Sequence, residues 1–112
     1  MGLRYARGNG IKQNYSEAAK WYRKAAKHGH TSAQNNLGLM YRKGQGVSQD
    51  YAEALKWFRK AAERGHPQAQ FNLGNMYLKG QGVKQDREEA RKWFTKAADK
   101  GHKGSGKALD SM

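Results

Sequence analysis

The chain has no cysteine and a single proline, and only nine aspartates and glutamates stand against twenty-two lysines and arginines. Without thiols it forms neither a disulfide framework nor a thiolate zinc centre, so disulfide-stapled and cysteine-ligated folds are excluded, and neither a metal nor a cofactor is expected. No apolar run approaches the roughly eighteen residues of a membrane span. Nor do the first residues, Met1 to Gly8, carry the apolar stretch of a secretory signal, which points to the cytoplasm for the chain as given, unless it is cut from something longer. Hydrophobic residues are scarce at 37%, and a mean hydropathy of −1.11 leaves little material for a large core. The shortage of acids leaves a formal charge of +13 and a pI near 10.2. So basic a chain of 112 residues points to an acidic partner or surface.

Glycine, in contrast, is plentiful, with fourteen residues, and its placement shows the organisation. At an offset of 36 residues Trp21, Trp57 and Trp93 align, as do Gly29, Gly65 and Gly101, and His30, His66 and His102. Residues 31–66 and 67–102 are identical at 24 of 36 positions, and residues 1–30 match 37–66 at 17 of 30. A period of this length marks an array whose units bury their apolar faces against one another. The chain therefore reads as one domain, 1–112: a truncated first repeat (1–30), two full repeats (31–66 and 67–102) and part of a further helix (103–112).

Each unit reads as two helices. Residues 50–64 set Tyr51, Ala54, Leu55, Phe58, Ala61 and Ala62 on one stripe at helical spacing, with Gly65 placed as a left-handed cap. Asn14 with Glu17, Asp50 with Glu53, and Asp86 with Glu89 each have the spacing of a capping box. The preceding helix, about 32–43, turns Ala33, Leu37, Met40 and Tyr41 inward, and its copy opens at Pro67, where a missing N–H costs nothing. Gly44-Gln45-Gly46-Val47 and its copies turn the chain between the two helices. The expected fold is all-α, an α/α superhelix of helix-turn-helix repeats.

Asn36-Leu37-Gly38, Met40-Tyr41, Gly44-x-Gly46-Val47-x-Gln49-Asp50-Tyr51, Glu53-Ala54-x-Lys56-Trp57-Phe58 and Ala61-Ala62-x-x-Gly65-His66 together resemble the Sel-1-like repeat, a relative of the tetratricopeptide repeat. The resemblance covers nearly the whole chain and implies an α/α solenoid used as an adaptor or scaffold for protein assembly. Some cysteine-rich relatives are described as binding or hydrolysing β-lactam-type compounds. This chain has none of their cysteines, and that activity is not carried over.

No group of residues reads as catalytic. The repeated histidines lie a whole unit apart and follow helix-ending glycines, which suits caps rather than a shared metal or substrate. The Gly-x-Gly turns follow no strand and lack the Lys-Ser/Thr of a phosphate loop. The three tryptophans, beside small alanines, read as packing between units.

Binding surfaces are more telling. With Ala33, Leu37, Met40 and Tyr41 inward, helical geometry turns Asn35, Leu39 and Arg42 outward in one unit and Phe71, Asn75 and Leu78 in the next, on the concave side. Asn36 and Asn72 stand beside them as a column able to pair with the backbone of an extended peptide, with Arg7, Lys43 and Lys79 at the equivalent basic position. The expected partner is a protein segment with apolar and acidic side chains. The second reading is nucleic acid on the convex lysine columns Lys20/Lys24, Lys56/Lys60 and Lys92/Lys96, weakened by the assignment of the aromatics to the core. Neither end of the chain supplies the polar face that stops an array, which points to end-to-end self-association, with Leu3 and Tyr5 at one junction and Leu109 and Met112 at the other.

Overall fold

A computed structural model describes residues 10–112, with side chains from residue 15 onward. It contains six helices: α1 (Gly10–Lys27), α2 (Thr31–Lys43), α3 (Tyr51–Glu63), α4 (Pro67–Lys79), α5 (Arg87–Asp99) and α6 (Lys103–Ser111). Helices consecutive in sequence pack on one another, α2 with α3 and α4 with α5 most extensively, in an elongated body of 40 × 24 × 23 Å. Inner helices α2, α4 and α6 thus alternate with outer helices α1, α3 and α5. Among the described residues no helix is long and apolar enough to cross a membrane.

The periodic stripes become the core. Phe58 and Phe94 are fully buried, each under the inner helix of its own unit. The contact is close because that helix carries glycine: a Cβ at Gly38 would lie 2.7 Å from the Phe58 ring, and one at Gly74 2.7 Å from the Phe94 ring. Trp57 packs with Ala26, Ala33 and Leu37, bridging one unit to the next. The two interior tryptophans are 6% and 7% exposed, as packing between units requires, whereas Trp21 is 73% exposed. Met1 and Gly2, one period before Leu37 and Gly38, lie outside the described residues, as do Leu3 and Tyr5 of the expected junction.

Only half of each expected capping box forms. Asp50 accepts the Glu53 N–H at 3.1 Å, and Asp86 accepts those of Glu88 and Glu89 at 3.0 and 3.1 Å. The glutamates do not reach back, because the cap N–H groups are already used: Asp50 donates to the Tyr41 carbonyl and Asp86 to that of Tyr77, both at 2.9 Å, which closes each helical hairpin. Glu53 and Glu89 turn instead to Lys56 and Lys92, each at 3.7 Å. The third box does not start a helix, since α1 runs through Asn14 from Gly10. In the later units the turn is held against the preceding outer helix; Gly46, at φ 74°, lies on the backbone of Tyr15 and Gly82, at φ 72°, on that of Tyr51.

Candidate functional site

A groove of about 610 Å³ runs between α2 and α4. Leu39, Phe71, Asn72 and Asn75 line it, and Arg42, Lys43 and Lys79 form a basic group where the two helices end. No carboxylate lines it. The apolar members are half-buried rather than free: Leu39, Phe71 and Leu78 all pack on the core. Leu78 lies outside the groove. Phe71 is held by aromatic neighbours, its ring centre 5.7 Å from that of Phe94 and 4.7 Å from that of His102.

The asparagines are placed differently from the sequence expectation. Asn35 does not face outward; it is 5% exposed, as Asn72 is 3%, and Asn72 Nδ2 donates to Asn35 Oδ1 at 2.8 Å. Adjacent inner helices meet one residue out of the repeat register, so Asn72 pairs with Asn35 and not with Asn36. Asn36 is half-buried and faces the α1 end of the array, beside Trp21 and His30. The column of amides proposed as a peptide clamp is therefore corrected to a pair that ties α2 to α4.

That pair belongs to a longer relay. His102 Nδ1 accepts the Ser105 N–H at 3.1 Å, which places the ring proton on Nε2 and lets it donate to Gln68 Oε1 at 3.0 Å. Gln68 Nε2 donates to Asn72 Oδ1 at 3.4 Å, and Asn72 passes the same sense of donation to Asn35. The relay runs from α6 through α4 to α2 and engages Gln68 and Asn72 of the groove, while Lys43, Lys79, the half-buried Arg42 and the half-buried Asn75 also line it.

Sequence reasoning missed two further ties between units. Gln34 donates to the Ala26 carbonyl and Gln70 to that of Ala62, both at 3.1 Å. Arg23 reaches the Tyr41 hydroxyl at 2.8 Å, and Arg59 reaches that of Tyr77. Their recurrence at the 36-residue period was the available signal. On the outer helices the lysines lie over tryptophan: Lys56 and Lys60 at 5.2 and 5.4 Å from the Trp57 ring centre, Lys92 and Lys96 at 5.2 and 5.7 Å from that of Trp93. The histidines serve as caps. His66 Nδ1 accepts the Ala69 N–H at 3.1 Å, and burial holds this imidazole below its usual pKa. His30 occupies the same position with no side-chain bond. Among the described residues no three His, Asp or Glu side chains are grouped to hold a metal.

The family model for the Sel1 repeat matches residues 1–30, 31–66 and 67–102. The chain belongs to the Sel1 repeat family. Two solved Sel1-type structures are similar to it over nearly its whole length. One is c5321, a protective antigen present in uropathogenic Escherichia coli strains and displaying an SLR fold, at 49% identity and a TM-score of 0.82 over 93% of this chain. The other is a Sel1 repeat protein from Oxalobacter formigenes, at 45% identity and a TM-score of 0.83 over 96%. The Sel1 chain spans only 22% and 44% of those two proteins. Helicobacter pylori cysteine rich protein B, at 23% identity and a TM-score of 0.80, shares the fold. No curated protein matches significantly. Sel1 repeat proteins are in general protein-interaction scaffolds and typically not enzymes.

Proposed function

We propose that this Sel1 array is a protein-binding scaffold, without catalytic activity, whose α2/α4 groove holds a segment bearing apolar and acidic side chains. The observation that carries the reading is the composition of the groove: three cations and no carboxylate beside the half-buried faces of Leu39 and Phe71. Lys43, Lys79 and Arg42 attract the acids, and the aromatic and aliphatic surface supplies contact area. With Asn35 and Asn72 engaged in the relay, side-chain charge and shape are the main selectors of the partner.

Lys43 and Lys79 are exposed and bear no structural load, so their reversal tests binding without unfolding the array. Proteins retained by the immobilised chain are identified and titrated against the Lys43→Glu/Lys79→Glu variant. We expect affinity to fall by about tenfold or more, with a matching loss of salt dependence. Equal affinity for wild type and variant refutes the groove. The nucleic-acid reading draws less support, because Lys56, Lys60, Lys92 and Lys96 lie on tryptophan rings and Lys20, Lys56 and Lys92 face glutamates. A gel shift with single-stranded and duplex oligonucleotides, persisting at physiological salt, would favour it instead.

A further inference from the structure

We infer that a second cavity, between the outer helices α3 and α5, is a binding site for an amide group flanked by charges of both signs. It measures about 710 Å³ and shares no lining residue with the α2/α4 groove. Two of its residues carry a buried polar atom without a protein partner: the indole N–H of Trp93 and the carboxamide oxygen of Gln70. Trp93 is 7% exposed and Gln70 3%. The oxygen is held in place because Gln70 Nε2 is spent on the Ala62 carbonyl at 3.1 Å. Buried polar groups are paired as a rule, and here one is a donor only and the other an acceptor only. A carboxylate or phosphate oxygen answers the indole and repels the carboxamide oxygen, and an ammonium does the reverse. An amide answers both, with its C=O and N–H on separate atoms.

The rim supplies the flanking charges. Lys92, Lys96 and Lys100 stand on it with Glu63 and Asp99, all of them exposed. Lys92 and Lys96 lie over the Trp93 ring, and exposed side chains of this kind move off the indole as a ligand enters. The carboxylates disfavour a polyanion and favour a segment with a cation on one side of its amide and an acid on the other. One unit earlier the oxygen of Gln34 is buried and unpartnered in the same way. The rim differs there, since Lys27 stands in place of Glu63, and Arg64, in place of Lys100, is engaged with the Gly29 carbonyl at 3.3 Å. The mixed-charge rim therefore belongs to the later unit.

The test follows the indole N–H signals of the isotope-labelled full chain by NMR, with Trp93 assigned from the signal lost in Trp93→Phe. The probes are the tripeptides Lys-Gln-Glu and Lys-Ala-Glu, each with acetyl and N-methylamide ends. The expected result is a saturable displacement of the Trp93 signal at millimolar peptide, with the signals of Trp21 and Trp57 unmoved. A glutamine peptide that binds about tenfold tighter assigns the site to a side-chain carboxamide, and equal affinities assign it to the peptide group. Gln70→Leu removes the acceptor and is expected to weaken binding about tenfold or more. Because Gln70 also holds the Ala62 carbonyl, Lys96→Glu/Lys100→Glu is the second variant; it alters only exposed side chains, keeps its fold by circular dichroism, and is expected to lower the affinity as well. A Trp93 signal that neither peptide moves, or an affinity unchanged in either variant, overturns the inference and leaves the two atoms to water alone.

Discussion

Gly74 sets two principles against each other. In an exposed helix, replacing glycine by alanine stabilises by about 1 kcal/mol. Here the added methyl would stand 2.7 Å from the buried Phe94 ring and 3.2 Å from the Ala90 carbonyl oxygen. Phe94 is fully enclosed and cannot move aside, so overpacking prevails, and Gly74→Ala is expected to destabilise by about 1–3 kcal/mol in urea unfolding. Asn72 tests the relay. Its truncation to alanine removes the donor to the buried Asn35 carbonyl oxygen and the acceptor for Gln68, a loss of about 1–3 kcal/mol. His66 gives a pH dependence of definite sign. Burial lowers its folded pKa below the unfolded value of 6.5, so between the two the unfolded chain binds more protons. The stability that the neutral ring contributes is present above that value and is lost as pH falls towards the folded pKa. Protonation at Nδ1 removes the acceptor for the Ala69 N–H at the same time. Melting temperatures between about pH 8 and 5 should fall more steeply for wild type than for His66→Asn, which caps without titrating in this range.

At the scale of the element, the outer helices α3 and α5 are fixed at their starts by aspartate and along one face by aromatic burial. Asp50→Ala is expected to cost about 0.5–2 kcal/mol, because it deprives the α3 terminus of its acceptor. Glu53→Gln breaks only the partly exposed pair with Lys56 and is expected to cost less than about 1 kcal/mol. Denaturant midpoints of the two variants, measured together, separate capping from surface pairing. The inner helices depend on their neighbours instead: Gln34 and Gln70 fasten them to the outer helix before, and the Asn72–Asn35 bond fastens α4 to α2. Helix α6 forms despite Gly104 and Gly106 because His102 caps it through the Ser105 N–H and Ser105 is buried beneath it.

For the whole molecule, the charge of +13 is spread over a thin array with a modest core. Like charges repel across a surface that few acids relieve, and salt shortens the range of that repulsion to about 10 Å at 0.1 M. Raising sodium chloride from about 20 to 300 mM at neutral pH should therefore raise the melting temperature, while weakening any partner held by Lys43 and Lys79. A melting series and a binding series on the same preparation will show the opposite slopes. No change in either would mean that the cations are already balanced locally.

The 36-residue period, the helix pairs and the aspartate caps were decided by local rules, since spacing, propensity and short-range hydrogen bonding act within a few residues and leave their pattern in the sequence. The identity of Phe58 and Phe94 as core residues was legible for the same reason. What lay beyond the sequence was set by the way neighbouring helices stack. Asn35 and Asn36 both belong to the inner helix, and only the one-residue offset between α2 and α4 buries the first against Asn72 and leaves the second at the α1 end. Three tryptophans at one repeat position are equivalent in sequence, yet Trp21 is exposed and the other two are not. Burial depends on what the neighbouring helices bring to the contact, as Ala26, Ala33 and Leu37 do for Trp57, and the spacing of one repeat does not carry that information. The grouping of Arg42, Lys43 and Lys79 around one groove has the same origin: the sequence placed each cation at a helix end, and the stacking of units made them a single surface.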